Sequence, residues 1–151
     1  MLKVLIAEDE LLIADQLEET LVAAGYEVCG IARTVEEAVV LGELHKPDLA
    51  VLDVRLAKGG QGPEIARRLN GKANFGILYA TGTANRTLTQ TDGDAVISKP
   101  FRPDDLIRAL GLVWEIAKAG TITPPFPLGF RILPESDARF AQGLLGERNA
   151  R

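Results

Sequence analysis

The stretch Leu49-Ala50-Val51-Leu52-Asp53 is a short apolar run that ends on a carboxylate. A run of this length with a β-branched residue is typical of a strand buried on both faces of a parallel sheet. Ligands of open parallel sheets bind just beyond the carboxyl ends of the strands. Asp53 is therefore expected at the edge where such a sheet does its chemistry.

Three further strand-like runs in the chain also end on polar side chains. The polar residues that follow these runs are Glu8 with Asp9, then Thr81, then Lys99. Because the carboxyl ends of parallel strands meet at one edge of a sheet, these groups and Asp53 are expected to converge. The sequence thus predicts three carboxylates, one hydroxyl and one ammonium group at a single edge.

Strand-like runs alternate with helical patterns, which predicts right-handed crossovers and a parallel sheet. Five strands joined by short loops favour an α/β, flavodoxin-like, doubly wound sheet in the order 2-1-3-4-5. In that order the first and third strands are neighbours, so Glu8, Asp9 and Asp53 lie together. The predicted helices cover residues 10–24, residues 34–45, residues 63–69 and a long stretch that starts at residue 103.

The segment between the fourth and fifth strands departs from this alternation. Residues 82–94 are rich in Thr, Asn, Asp and Gly and show almost no apolar periodicity. Such residues favour turns and local hydrogen bonds over helix interiors. We therefore expect the fourth helix to be reduced or absent.

Length and composition bound the class of protein. A chain of 151 residues predicts one domain, residues 1–120, and a Pro-containing tail, residues 121–151, in which residues 134–145 favour a short docking helix. The net charge of −4 argues against a nucleic-acid binder. The single cysteine and the lack of any long apolar stretch predict a soluble cytoplasmic protein with no membrane contact.

The predicted cluster of carboxylates has a chemical consequence. Glu8, Asp9 and Asp53 repel one another when ionised, and a divalent cation relieves that repulsion. Hard carboxylate oxygens suit Mg²⁺, which also binds phosphate oxygens. Lys99 adds a mobile positive charge and Thr81 a hydrogen-bonding hydroxyl, so Asp53 is placed as a nucleophile that forms an aspartyl phosphate.

These positions together resemble the response-regulator receiver domain, in its single-domain CheY-like form, from about Met1 to Gly120. The motifs Tyr79-Ala80-Thr81-Gly82 and Lys99-Pro100-Phe101 are similar to those of a subgroup with a Phe-Ala-Thr-Gly-type motif. The resemblance implies phosphorylation of Asp53 by a sensor histidine kinase or a histidine phosphotransfer protein, with Mg²⁺ as cofactor. It also implies a cis Lys99–Pro100 bond.

The same resemblance assigns roles to residues around the site. It implies that the backbone carbonyl of Arg55 completes the metal site. The family often has an aromatic switch residue where this chain has Val96, and Tyr79 is the candidate substitute. Thr81 is the other switch residue, and Thr83 and Arg55 lie where the family tunes the lifetime of the phosphoryl group.

Several alternatives stay open at this stage. Glu8 and Asp9 are also suited to cap the first helix. An aspartyl-phosphate Mg²⁺ phosphatase is disfavoured because such enzymes usually have a second Asp where this chain has Arg55. A pseudo-receiver, which keeps the fold without being phosphorylated, is the main alternative.

The expected output is a contact with another protein. We expect no enzyme activity beyond the protein's own phosphorylation and dephosphorylation. Signalling is expected through an unknown downstream protein rather than through an attached output domain. A homodimer through the final helix or the tail remains open.

Overall fold

The computed structural model describes residues 1–69, 75–82 and 88–134. Within these ranges the strands are β1 (Lys3–Ala7), β2 (Glu27–Ala32), β3 (Leu49–Leu52), β4 (Gly76–Thr81), β5 (Ala95–Ser98) and β6 (Phe130–Ile132). The helices are α1 (Leu11–Ala23), α2 (Val35–His45), α3 (Gly62–Leu69) and α4 (Pro103–Ala119). One sheet contains all six strands in the order β2-β1-β3-β4-β5-β6.

The predicted α/β fold is confirmed. Strands β1 to β5 pair in parallel in the predicted order 2-1-3-4-5. The weak fourth helix is also as predicted, because residues 90–92 form a turn and no α-helix occurs in the described part of the β4–β5 connection. Residues 83–87 of that connection lie outside the described ranges.

The sheet is buried between two helical layers, and β3 is its most deeply buried strand. All four of its residues are at most 1% exposed. Leu49 and Val51 face the apolar cluster that contains residues of α1 and α4, whereas Ala50 and Leu52 face the cluster that contains residues of α2 and α3. Side chains alternate between the faces of a strand, so a strand covered on both faces must be apolar throughout.

The start of α2 shows how the sequence specifies its own element boundaries. The Thr34 hydroxyl accepts a hydrogen bond from the Glu37 N–H at 3.1 Å. The Glu37 carboxylate in turn accepts one from the Arg33 N–H at 2.7 Å. The first of these bonds satisfies a backbone donor that the first helical turn leaves unpaired, and the second fixes the chain just before the cap residue Thr34.

The chain beyond α4 adds a strand that the sequence analysis missed. Gly120 and Gly129 take positive φ values, 70° and 79°, and between them the chain turns back towards the sheet. Residues 130–132 then pair antiparallel with β5. The division at residue 120 stays a prediction, and the helix expected over residues 134–145 falls almost wholly outside the described residues.

Among the described residues, no helix combines the length and the apolar character that are needed to cross a membrane.

Candidate functional site

The carboxyl ends of β1 and β3 lie side by side and bring three acids together. The register pairs Ala7 with Leu52, and the Asp53 N–H donates to the Ala7 carbonyl at 2.9 Å. Glu8, Asp9 and Asp53 each offer a carboxylate oxygen, and these oxygens all lie within 4.8 Å of one another. The structure thus brings together the three acids that the sequence placed at this edge.

Lys99 connects two of the three acids. Its Nζ donates to Glu8 Oε1 at 2.6 Å and to Asp53 Oδ2 at 3.1 Å. Its backbone N–H donates to the Thr81 carbonyl at 2.8 Å, which fixes the residue after β5 against the end of β4. The peptide bond between Lys99 and Pro100 is cis.

Burial sets the charge balance of this network. The Glu8 side chain is 1% exposed, and burial raises the pKa of its carboxyl although the Lys99 hydrogen bond opposes the shift. Burial alone would lower the pKa of Lys99, but the hydrogen bond to Glu8 and the charge of Asp53 outweigh it and raise that pKa. Lys99 therefore remains an ammonium ion that compensates the acids beside it.

Asp53 is the acid of the Lys99 network that solvent can reach. Its side chain is 15% exposed, compared with 1% for Glu8. Its second oxygen, Oδ1, lies 3.4 Å from the Arg55 N–H, which is a long contact that leaves this oxygen lightly held. One carboxylate oxygen is thus held by Lys99, and the other makes only the long contact with the Arg55 N–H.

The start of α1 bears on whether the acids serve only as a helix cap. The residue that caps α1 is Glu10, and its side chain makes no capping hydrogen bond. Glu8 Oε2 accepts from the Glu10 N–H at 3.2 Å, while its other oxygen holds Lys99. Glu8 therefore contributes to the helix start, but its shortest hydrogen bond is to the site lysine.

The remaining predicted residues occupy different surroundings. Thr81 ends β4 and is 4% exposed, next to the backbone of Lys99. Arg55 is exposed and forms an isolated bridge with Gln61. Thr83 lies outside the described residues, so its predicted role stays a prediction.

Tyr79 and Val96, the two candidate switch positions, are opposite each other in the β4–β5 register. Tyr79 is fully buried, and its hydroxyl donates to the Asp92 carbonyl at 2.7 Å. Burial raises the pKa of the Tyr79 phenol, so it keeps its proton and acts as a donor. Tyr79, which lies two residues before Thr81 in β4, is thus anchored to the β4–β5 connection by its hydroxyl group.

Two glycines make room for the Tyr79 ring, and the sequence analysis missed both. A Cβ on Gly93 would lie 2.7 Å from the ring, and a Cβ on Gly62 would lie 3.0 Å from it. Glycine in a turn-rich segment was the only signal in the sequence, and it does not reveal which side chain approaches. The ring therefore depends on residues from two separate connections.

The sequence of this chain matches a known protein family over most of its length. The sequence profile of the response regulator receiver domain matches residues 4–111. The chain belongs to this family. It is a receiver domain of the kind found in two-component signalling, which makes it a regulatory module that acts with other proteins.

Individual relatives agree with the family. The receiver is 41% identical over 114 residues to the transcriptional regulatory protein PdtaR of Mycobacterium tuberculosis, covering 73% of this chain and 55% of PdtaR. It is 36% identical over 104 residues to the phyllosphere-induced regulator PhyR of Methylorubrum extorquens, covering 67% and 39% of the two chains. The chain thus spans about half the length of the curated relatives it matches.

A solved structure shows the same fold. The signal receiver domain of a modulated diguanylate cyclase from Desulfovibrio desulfuricans superposes with a TM-score of 0.69 at 30% identity. The match covers 80% of this chain and 99% of that domain. The receiver fold therefore accounts for most of the described residues.

Proposed function

We propose that this receiver accepts a phosphoryl group on Asp53 and passes the signal on through contacts with other proteins. The observation that carries the proposal is the position of Lys99, whose Nζ lies within hydrogen-bonding distance of both Glu8 and Asp53. An ammonium group at this place can balance an anion that is added to Asp53. Phosphoryl transfer depends mainly on such positioning and charge compensation.

The donor set fits Mg²⁺. The oxygens of Glu8, Asp9 and Asp53 converge within 4.8 Å, and hard carboxylate oxygens are the ligands this ion prefers. We propose these three acids, with the backbone carbonyl of Arg55, as the residues that hold it. When bound, the ion neutralises charge on the phosphoryl oxygens.

Asp53 itself does the bond chemistry in this proposal. An oxygen of its carboxylate attacks the phosphorus of a phosphohistidine, a P–O bond forms, and the P–N bond to the donor breaks. The released imidazole takes a proton from water. Lys99 holds the transferred group by its charge, and the Thr81 hydroxyl donates to one of its oxygens.

The proposed partners follow from this chemistry. The donor is a sensor histidine kinase or a histidine phosphotransfer protein, and the recipient of the signal is a further protein. PdtaR is described as a transcriptional regulatory protein and PhyR as a regulator. We propose a regulatory output for this receiver as well, without committing it to either process.

One observation favours a second candidate, a receiver that binds partners without being phosphorylated. Lys99 already pairs with Glu8 and Asp53, so part of the acidic cluster is compensated by the protein alone. A pseudo-receiver could keep such a closed network as a purely structural feature. The two candidates differ in whether Asp53 reacts.

Intact mass after incubation with acetyl phosphate, with and without Mg²⁺, tests the proposal. The wild-type chain is expected to gain one phosphoryl group only when Mg²⁺ is present, and Asp53→Ala none. Asp48→Asn is the matched control, because Asp48 precedes the same strand at its opposite end and bonds the Lys3 N–H. No adduct with acetyl phosphate or with a phosphorylated kinase would favour the pseudo-receiver.

A further inference from the structure

The outer edge of β5 is covered by the chain that follows α4. We call residues 123–134 the strap. Within it, β6 pairs with β5, and the Ser98 N–H donates to the Gly129 carbonyl at 3.2 Å. Arg108 on α4 donates to two backbone carbonyls at the beginning of the strap. An edge that would otherwise present unpaired backbone groups is thus closed by the protein's own chain.

The far end of the strap is tied to the β4–β5 connection. Leu133 is 1% exposed and belongs to the apolar cluster on the α2–α3 side of the sheet. Its N–H donates to the Asp94 carbonyl at 3.0 Å, and the Pro134 carbonyl accepts from the Gln90 N–H at 2.7 Å. The strap therefore holds the β4–β5 connection, whose described residues form no α-helix.

One attachment of the strap lies next to the candidate site, and the other lies before β5, at the opposite end of that strand. Ser98, which bonds Gly129, directly precedes Lys99. The backbone N–H of Lys99 bonds the Thr81 carbonyl, and Thr81 begins the connection that the other end of the strap holds. A movement of Lys99 thus reaches the strap through the adjoining Ser98 and its hydrogen bond to the Gly129 carbonyl.

We propose that the strap is a latch that leaves the edge of β5 when Asp53 carries a phosphoryl group. This inference rests on the proposed function. The added anion extends beyond the present Asp53 carboxylate, so the Lys99 ammonium group, which already bonds Asp53, shifts away from Glu8 and towards the phosphoryl oxygens. That movement displaces the backbone at Ser98 and weakens its bond to the strap.

Few interactions hold the strap to the edge of β5, so a modest change in free energy is enough to release it. It is held by a strand of three residues, one buried leucine and a few hydrogen bonds from exposed or loop positions. Coupling between two sites typically changes an equilibrium by about 5- to 150-fold, which is enough to release so small an element. The phosphorylated receiver would then expose the edge of β5, which its resting form keeps closed.

Hydrogen exchange of the full chain, followed by mass spectrometry, tests the latch. Exchange in the peptide that spans residues 128–134 is expected to rise by about tenfold on phosphorylation, within the usual range of such coupling. A peptide from β1 serves as the internal reference and is expected to stay unchanged. The intact mass of the same sample reports whether the phosphoryl group is present.

The outcomes separate the two proposals. A phosphoryl adduct with unchanged exchange in the strap overturns the latch and leaves the proposed function standing. The absence of an adduct overturns both. Increased exchange in the phosphorylated wild-type chain but not in Asp53→Ala supports both.

Variants of the strap test the reverse direction of the coupling. Leu133→Ala and Arg108→Gln weaken the strap at opposite ends, so both are expected to be phosphorylated to a greater extent than the wild-type chain at equilibrium with the same phosphohistidine donor, because coupling between two sites is reciprocal. Arg108 is half-buried and lies outside the two apolar clusters, so its variant remains informative if Leu133→Ala does not fold. Leu128→Ala is the control, since Leu128 is 89% exposed. Equal extents of phosphorylation in all four proteins would contradict the latch.

Discussion

Lys99 Nζ lies 2.6 Å from Glu8 Oε1, although the two residues are 91 positions apart in the chain. Glu8 follows the first strand and Lys99 the fifth, so their meeting depends on the whole parallel sheet. A buried carboxylate without a partner is costly, and the ammonium group offsets that cost here. The ion pair therefore links the stability of the fold to the candidate site.

Replacing Lys99 tests this link. Lys99→Ala leaves the Glu8 carboxylate buried without its cation, so the free energy of unfolding in the absence of divalent ions is expected to fall by about 2–4 kcal/mol. Glu8→Gln in the same chain is expected to restore most of the loss, because a neutral amide needs no cation. Urea denaturation measures both variants, with the exposed Lys58→Ala as control. A Lys99→Ala chain as stable as the wild type would contradict the interpretation.

Gly93 is expected to be sensitive to the smallest substitution. A methyl group there would lie 2.7 Å from the Tyr79 ring and 2.9 Å from Ile77. Gly93→Ala is therefore expected to lower the free energy of unfolding by about 1–3 kcal/mol, the range found for overpacked cores.

The matched control for Gly93 is a glycine with free space around it. Gly111 lies in α4 with nothing within 4 Å of an added Cβ. Gly111→Ala is expected to leave stability unchanged or to raise it by up to about 1 kcal/mol through helix propensity. Equal effects at the two glycines would show that the Tyr79 ring does not require the missing side chain.

The buried carboxyl group of Asp94 is expected to make the free energy of unfolding depend on pH. Its carboxylate accepts from the Ile77 N–H at 2.8 Å, and burial raises its pKa above the ordinary value of 3.8. The folded chain thus holds this proton more tightly than the unfolded chain, so ionising Asp94 costs stability as the pH rises from 3.8 through the raised pKa. Asp94→Asn keeps an acceptor oxygen and removes this cost.

The stability difference between Asp94→Asn and the wild type measures that cost. It is expected to shift in favour of the variant as the pH rises through this window, and to level off above it. Urea denaturation at a series of pH values from 3.5 to about 7 follows the difference. A difference that does not change with pH would contradict the interpretation.

Metal binding gives a fourth prediction. If the three acids hold Mg²⁺, the ion stabilises the folded chain and raises its melting temperature with concentration. Asp9→Asn removes one ligand and is expected to weaken Mg²⁺ binding by about tenfold or more, within the range of lost ligand contacts. Asp15→Asn, on α1 outside the cluster, is the control. Identical Mg²⁺ titrations for the two variants would argue against the proposed ligand set.

The sequence predicts those parts of the fold that depend on residues close together in the chain. The helix predicted over residues 63–69 forms as α3 (Gly62–Leu69), and the long helix predicted from residue 103 begins at Pro103, because a proline at the start of each helical pattern marks its first turn. The convergence of Glu8, Asp53 and Lys99 was predictable because each immediately follows a strand, and parallel strands end at one edge.

The missed features depend on tertiary contacts with no local signature. β6 has only three residues, one half-buried and two exposed, and it pairs with β5 from more than thirty positions away, so neither length nor apolar pattern marks it. The approach of Gly62 and Gly93 to Tyr79 likewise depends on how two separate connections pack. Such contacts follow from the assembled sheet rather than from any single stretch of sequence.

The most direct test of the account locates the modified residue. An aspartyl phosphate is an acyl phosphate, and borohydride reduces it to homoserine, which peptide mass spectrometry places in the chain. After incubation with a phosphohistidine donor and Mg²⁺, homoserine is expected at position 53 and at no other aspartate. Homoserine at Asp9 or Asp92 instead, or at no position while the donor loses its phosphoryl group to water, would contradict the assignment of Asp53.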